Sequence, residues 1–260
     1  MSSTEQTLRA NRASGGSLIG YFPLGYPSLE ESVEAAVAMC EAGVDILELG
    51  IPYSDPVMDG IVIQEATETA LTNGFKLKDT FDAVRSVISR VSAPVLVMTY
   101  WNPVMQYGQE RFAQDLADSG AAGAITPDLI PDEAAGWISA TDLHGLDRVF
   151  LATPTSSDVR TQRTCASSRG FVYAVSTMGI TGARDDLDQK AKKVVAQVRA
   201  QSSDSMTAVG IGVSSASQVR EINTYADGAI VGSAFVRAYQ QGGIQALRAK
   251  VSELAKGKSK

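Results

Sequence analysis

The stretch Val44-Asp-Ile-Leu-Glu-Leu-Gly-Ile-Pro-Tyr-Ser-Asp-Pro-Val-Met-Asp59 begins as a strand and ends as a proline-bounded loop. Alternation over 44–50 puts Ile46, Glu48 and Gly50 on one face and Leu47 and Leu49 on the other. Glu48 is thus an acid in the apolar body of a strand. Such a group is costly unless it is partnered or kept for chemistry. The loop then delivers a second acid, Asp59, just before Gly60. Singly, Glu48 could be a hydrogen-bonded core acid and Asp59 a turn residue. Together they form the pair from which an active site divides acid and base roles.

Outward from this stretch, short β-branched or apolar runs recur at 17–24, 45–50, 94–100, 123–126, 148–152, 171–176, 207–211 and 229–231. Amphipathic stretches lie between them at 29–41, 80–90, 110–119, 132–141, 188–200 and 217–224. Eight strand–helix alternations predict a closed parallel (β/α)8 TIM barrel with its helices outside. An additional helix over 63–73, ahead of 76–90, follows the second strand and is placed to hold the loop that carries Asp59. No Gly/Ser-rich or charged linker divides the 260 residues. One barrel domain over 1–260 is expected, with 1–16 and 256–260 as flexible ends.

The chain is 44% hydrophobic, enough for one large core, and its net charge of −6 gives no reason to expect a nucleic acid or an anionic membrane as partner. An anionic ligand would have to be held by local features. Cys40 and Cys165 stand far apart and make no disulfide framework. No run approaches a membrane span or a signal core. The chain reads as a cytoplasmic protein.

Barrels often hold phosphate in the loops after strands seven and eight, at a helix N-terminus. Those loops read Gly210-Ile-Gly-Val-Ser-Ser215 and Gly232-Ser-Ala234, with Ser215 as an N-cap. Either alone is an ordinary turn; both at adjacent strand ends predict a phosphate site. Phe22, Tyr100, Ile125 and Tyr173 fall on predicted strands and are expected to line a flat apolar slot, although lone aromatics more often belong to a core. Residues 176–186 are long and Gly-rich for a strand–helix turn. They are read as a mobile lid hinged at Gly179 and Gly182, with Thr181 closing onto Asp59 and Arg184 as a protease-sensitive point; the alternative is an ordinary surface loop.

What is missing narrows the chemistry. None of the nine lysines lies on a predicted strand, which disfavours a Schiff base. The single histidine, His144, is expected on the face opposite the site, so no metal site is predicted. Carbon–carbon cleavage here would need a substrate that supplies its own electron sink.

The segment Glu48-Leu-Gly-Ile-Pro-Tyr-Ser-Asp-Pro-Val-Met-Asp-Gly60 resembles the fingerprint of the tryptophan synthase alpha subunit family. The likeness continues through Met98-Thr-Tyr-Trp-Asn-Pro103, Pro127-Asp128, Ser176 to Arg184, Gly210-Ile-Gly212 and Gly232-Ser233. It departs at Ile61, where the family usually has proline. The resemblance implies retro-aldol cleavage of indole-3-glycerol phosphate to indole and glyceraldehyde 3-phosphate, a lyase step of tryptophan biosynthesis. Glu48 would shuttle protons and Asp59 would hydrogen-bond the ring N–H. It also implies that Gly182, Gly212, Gly232 and Ser233 contact the phosphate, and that Tyr100 and Tyr173 are pocket residues. Loops around Pro52, Asp55, Pro56 and Asn102 would meet a beta subunit in an alpha2beta2 heterotetramer. Pyridoxal phosphate is expected in that partner and no cofactor in this chain. Ile61 raises a rival from another class: a catalytically impaired barrel that binds ligand and activates the beta subunit. An autonomous indole-releasing lyase and another phosphosugar isomerase are further alternatives, the isomerase disfavoured by the acid pair.

Overall fold

The computed structural model describes residues 1–175, 184–210 and 212–258. Its strands are β1 (Ser17–Pro23), β2 (Ile46–Gly50), β3 (Val95–Met98), β4 (Gly123–Ile125), β5 (Asp147–Val149), β6 (Leu151–Ala152), β7 (Val172–Ala174), β8 (Thr207–Val209) and β9 (Gly228–Val231). Its helices are α1 (Ser3–Arg12), α2 (Leu29–Ala42), α3 (Ile61–Thr72), α4 (Asp79–Ile88), α5 (Trp101–Tyr107), α6 (Gln109–Asp118), α7 (Ala135–Leu143), α8 (Asp158–Ser167), α9 (Arg184–Gln201), α10 (Ala216–Tyr225) and α11 (Ser233–Ala255).

The strands pair in parallel, in the order β5-β4-β3-β2-β1-β9-β8-β7-β6. Only Phe150 separates β5 from β6, and its carbonyl accepts the Tyr173 N–H at 3.1 Å, so the ring of strands comes together there. The single strand expected over 148–152 is therefore split into two ladders, one toward β4 and one toward β7. The extra helix after the second strand is α3.

Strand alternation sorts the core. Ile19, Ile46, Leu96, Ile125, Val149 and Ile230 pack together inside the barrel. Leu18, Phe22, Leu47, Leu49 and Val97 face the helices instead. Burying each such aliphatic side chain contributes about 1.5–3 kcal/mol relative to leaving it exposed. Local signals set the helix limits: Ser28 caps α2 by accepting the Glu31 N–H at 3.2 Å, and Gly43, at φ 122°, ends it.

Both chain ends depart from the expectation of loose tails. Residues 3–12 form α1, whose Leu8 is 0% exposed and joins the interior cluster at the barrel floor. Arg12 Nε lies 3.3 Å from the buried carboxylate of Asp227 and fixes the helix in place. At the other end, Lys256–Lys258 form a 3-10 turn in which Lys258 Nζ sits 2.9 Å from both Asp45 oxygens. His144, half-buried just past α7, lies on the floor side as expected. Among the described residues no helix is long and apolar enough to cross a membrane.

Candidate active site

Because the strands are parallel, the loops leaving their C-terminal ends gather at one mouth. A cavity of about 580 Å³ opens there, lined by Glu48 and Asp59 together with Tyr21, Ile125, Tyr173, Gly212, Gly232 and Ser233. Glu48 comes from the middle of β2, with its Cα opposite Tyr21 on β1 and Leu96 on β3. It is 1% exposed, and among the described residues its Oε1 meets no hydrogen-bond partner. Burial pushes its carboxyl up to about 8. Glu48 is thus mostly protonated at neutral pH, a proton donor aimed into the cavity.

Asp59 arrives on the loop after β2, immediately before α3. The Tyr100 hydroxyl donates to Asp59 Oδ2 at 3.1 Å and accepts the Met58 N–H at 2.9 Å. Burial pushes Asp59 up to about 6, and the Tyr100 hydrogen bond works in the opposite sense. At pH 7 Asp59 is therefore mainly ionised while Glu48 holds its proton. Two carboxyls of unequal environment in one cavity can act as acid and base.

The other expected residues divide. Ile125 and Tyr173 line the cavity. Phe22 does not, and that expectation is corrected: β1 alternation turns it outward, where it packs edge-on against Tyr239 of α11 at 5.4 Å. Its neighbour Tyr21 takes the interior position, and Gly50 leaves room for the Tyr21 hydroxyl, which would lie 2.1 Å from a Cβ there. Strand parity counted from Ile19 or from Glu48 carries this signal. Tyr100 is not a wall of the cavity either; past the end of β3 it stacks on Tyr53, ring centroids 5.2 Å apart, and its hydroxyl holds Asp59. Met98, Leu151 and Ile230 form the apolar wall in their place. Thr181 and Gly182 lie outside the described residues, as do residues 176–183 of the lid expected over 176–186; its last residues, 184–186, belong to the start of α9.

At the far end, Gly212 turns with φ +58° and Gly232 caps α11 without a side-chain hydrogen bond, so the α11 N-terminus faces the cavity with its first-turn N–H groups. A Cβ on Gly232 would stand 3.2 Å from the Tyr21 ring. Ser215 caps α10 as expected, in a capping box with Gln218. Among the described residues no His, Cys, Asp or Glu cluster could hold a metal ion. On the rim, Asp55 and Asn102 are exposed, and Asn102 donates to the Tyr53 hydroxyl at 3.1 Å; Pro56 is half-buried. Pro52 is buried within the chain, so it shapes its loop rather than offering a surface.

Fold and cavity together define a (β/α)8-barrel protein with paired acids at the C-terminal ends of its strands, where barrel enzymes carry their chemistry. A family model for the tryptophan synthase alpha chain matches residues 7–259, and the chain belongs to that family. A lyase-type role in tryptophan synthesis goes with that membership. The alpha chain of Leifsonia xyli is 60% identical over 249 residues, covering 96% of this chain and 95% of that one. The alpha chain of Mycobacterium avium is 54% identical over 240 residues, covering 92% and 88%. Tryptophan synthase of Mycobacterium tuberculosis superposes with a TM-score of 0.92 at 49% identity, over 99% of this chain and 97% of that one. A chain of the tryptophan synthase a2b2 complex of Pyrococcus furiosus gives 0.83 at 33% identity, over 93% and 98%.

Proposed function

We propose that the chain cleaves indole-3-glycerol phosphate to indole and glyceraldehyde 3-phosphate. The observation that carries this reading is the pairing of buried Glu48, its Oε1 unpartnered among the described residues, with Tyr100-held Asp59 in one cavity that has an apolar wall and a glycine-lined end, where burial raises Glu48 further than Asp59. Glu48 gives its proton to ring C3, which leaves the indole as an iminium-like cation. Asp59 accepts a hydrogen bond from the ring N–H and stabilises the developing positive charge. Glu48, now a carboxylate, takes the proton of the side-chain hydroxyl next to C3. That O–H pair becomes the carbonyl, the carbon–carbon bond breaks, and its electrons neutralise the ring. Glu48 ends protonated, as it began, so one residue serves both transfers. General acid–base catalysis of this kind is worth about 10²–10⁴ in rate.

The apolar wall of Ile125, Met98 and Ile230 suits the flat ring, and Tyr173 stands beside Glu48. Gly212, Gly232 and Ser233 would take the phosphate through backbone N–H groups. Thr181 and Gly182 would complete the site from the loop after β7.

The partner would be a beta subunit holding pyridoxal phosphate. Val57, Met105 and Ile130 are exposed apolar residues on the segments that follow β2, β3 and β4, three neighbouring strands. That puts them with Asp55, Pro56 and Asn102 on one side of the mouth, a surface suited to docking.

The test is indole release from indole-3-glycerol phosphate by the purified chain, with and without a beta subunit. Slow release that rises many-fold with the partner supports the whole reading. Release indifferent to the partner removes the docking half, and no release in either condition removes the lyase assignment.

A further inference from the structure

The cavity has an electrostatic problem. Its described charged lining comprises two acids, Glu48 and Asp59, and a single cation, Arg237. The chain as a whole carries −6. A phosphate ester is mostly a dianion at neutral pH, and neutral N–H donors from Gly212, Gly232 and Ser233 supply no full positive charge to meet it.

Arg237 lies on α11, whose first residue is Ser233. Four residues apart on a helix place the two on one face, and helical Cα–Cβ bonds tilt toward the N-terminus. Arg237 accordingly lines the same cavity as Ser233 and Gly232. It is exposed, and among the described residues it forms no ion pair. Several exposed arginines elsewhere are matched to acids, Arg90 with Glu34, Arg163 with Asp132 and Arg248 with Glu41, and none of these three lines the cavity. An unmatched arginine at the glycine-lined end of an acid-bearing cavity is placed for an anionic ligand, and its planar fork suits phosphate oxygens.

We propose that Arg237 reads the charge of the phosphate end and selects dianionic phosphate esters over uncharged or singly charged analogues. The proposal rests on the phosphate reading above. Arg237 acts in binding and not on the reacting atoms, so its removal falls on KM rather than kcat.

The experiment compares wild type with Arg237→Gln and Arg237→Lys. Affinity for glycerol 3-phosphate is measured calorimetrically at pH 7.5 and 5.5, alongside KM and kcat for indole-3-glycerol phosphate at low and high salt. Indole binding serves as the uncharged reference. A charge-assisted hydrogen bond changes affinity by roughly ten- to a hundredfold. The glutamine variant should lose that much affinity for glycerol 3-phosphate, and the lysine variant less. Wild-type affinity should fall at pH 5.5, where the ester becomes a monoanion, and the glutamine variant should respond little to pH or salt. Equal binding of glycerol 3-phosphate by wild type and the glutamine variant overturns the role of Arg237 while leaving the phosphate site standing. Failure of wild type to bind it overturns both. An equal loss of indole affinity would mark the substitution as structural and also overturn the proposal.

Discussion

The Tyr100 hydroxyl lies 3.1 Å from Asp59 Oδ2 and 2.9 Å from the Met58 nitrogen, so one side chain anchors both the acid and the backbone just before it. Tyr100 is itself buried and stacked on Tyr53, which limits its freedom. The loop from Ile51 to Gly60 is thereby held from the next strand rather than by its own turns alone.

Tyr100→Phe should therefore weaken catalysis without emptying the cavity. A hydrogen bond to a charged group is worth about 1.5–3 kcal/mol, and its loss lets Asp59 rise further above about 6. The acid limb of kcat/KM should move to higher pH, with about a tenfold drop at pH 6.5. An unmoved acid limb would dissociate Tyr100 from Asp59 ionisation.

The same two acids set the wild-type pH profile. Activity needs Asp59 ionised and Glu48 protonated, so kcat/KM should fall below about 6 and above about 8. Glu48→Gln and Asp59→Asn should each reduce turnover at least a hundredfold while glycerol 3-phosphate still binds. Retention of more than about a tenth of the activity in both variants would refute the assignment.

Burying Glu48 also carries a stability cost, and its sign is fixed. Its carboxyl titrates near 4.5 when unfolded and about 8 when folded. Between these values the unfolded chain binds fewer protons, so folding stability falls as pH rises. At about 1.4 kcal/mol per pKa unit the penalty above pH 8 reaches several kcal/mol. Glu48→Gln, which mimics the neutral acid, should match wild type in urea unfolding near pH 4.5 and exceed it increasingly toward pH 9. A constant difference across that range would mean that Glu48 has a charge partner within the fold.

Much of this site is legible in the sequence, because parity and loop position are local properties. Glu48 stands on the interior face of β2 since Ile46 does, and Asp59 follows from the loop that the same strand enters. Phe22 was legible in the same way through Ile19, yet a ring of suitable shape outweighs parity in a pocket assignment. Tyr21 is the aromatic that faces inward. Tyr100 illustrates a different limit: its role depends on a contact across 41 residues, which no local period encodes. The helix α1 was hidden because its only large apolar residue is Leu8, whose value comes from where the barrel floor happens to lie. Arg237 shows no signal in composition; only the closing of the barrel brings it to the cavity of Glu48 and Asp59.

Leu8→Ala tests whether α1 is part of the core. Leu8 is fully buried and contributes to the interior cluster with Ile19 and Ile46. Truncation at such a site typically costs 2–5 kcal/mol. The urea midpoint should fall accordingly while the pH limbs set by Glu48 and Asp59 stay in place. A loss below about 0.5 kcal/mol would show that α1 detaches without disturbing the barrel.

Ile61→Pro addresses the departure that raised an impaired barrel as a rival. Ile61 is the first residue of α3, 62% exposed, and Gly60 before it has φ −74° and ψ 159°. Proline is well suited to the first helical position, where the N–H needs no helical partner. It also prefers an extended residue before it, as Gly60 is. The loop that presents Asp59 thus already has the backbone that proline would impose, formed instead through Tyr100 and the Gln64 Nε2 bond to the Asp59 carbonyl at 2.7 Å. Proline should add about 0.4–1 kcal/mol by restricting the unfolded chain, a rise in Tm of about 1–4 °C. Indole release should not increase more than about twofold, because the loop is already in place. A many-fold increase would instead mean that Ile61 leaves Asp59 poorly presented, and would restore the impaired-barrel alternative.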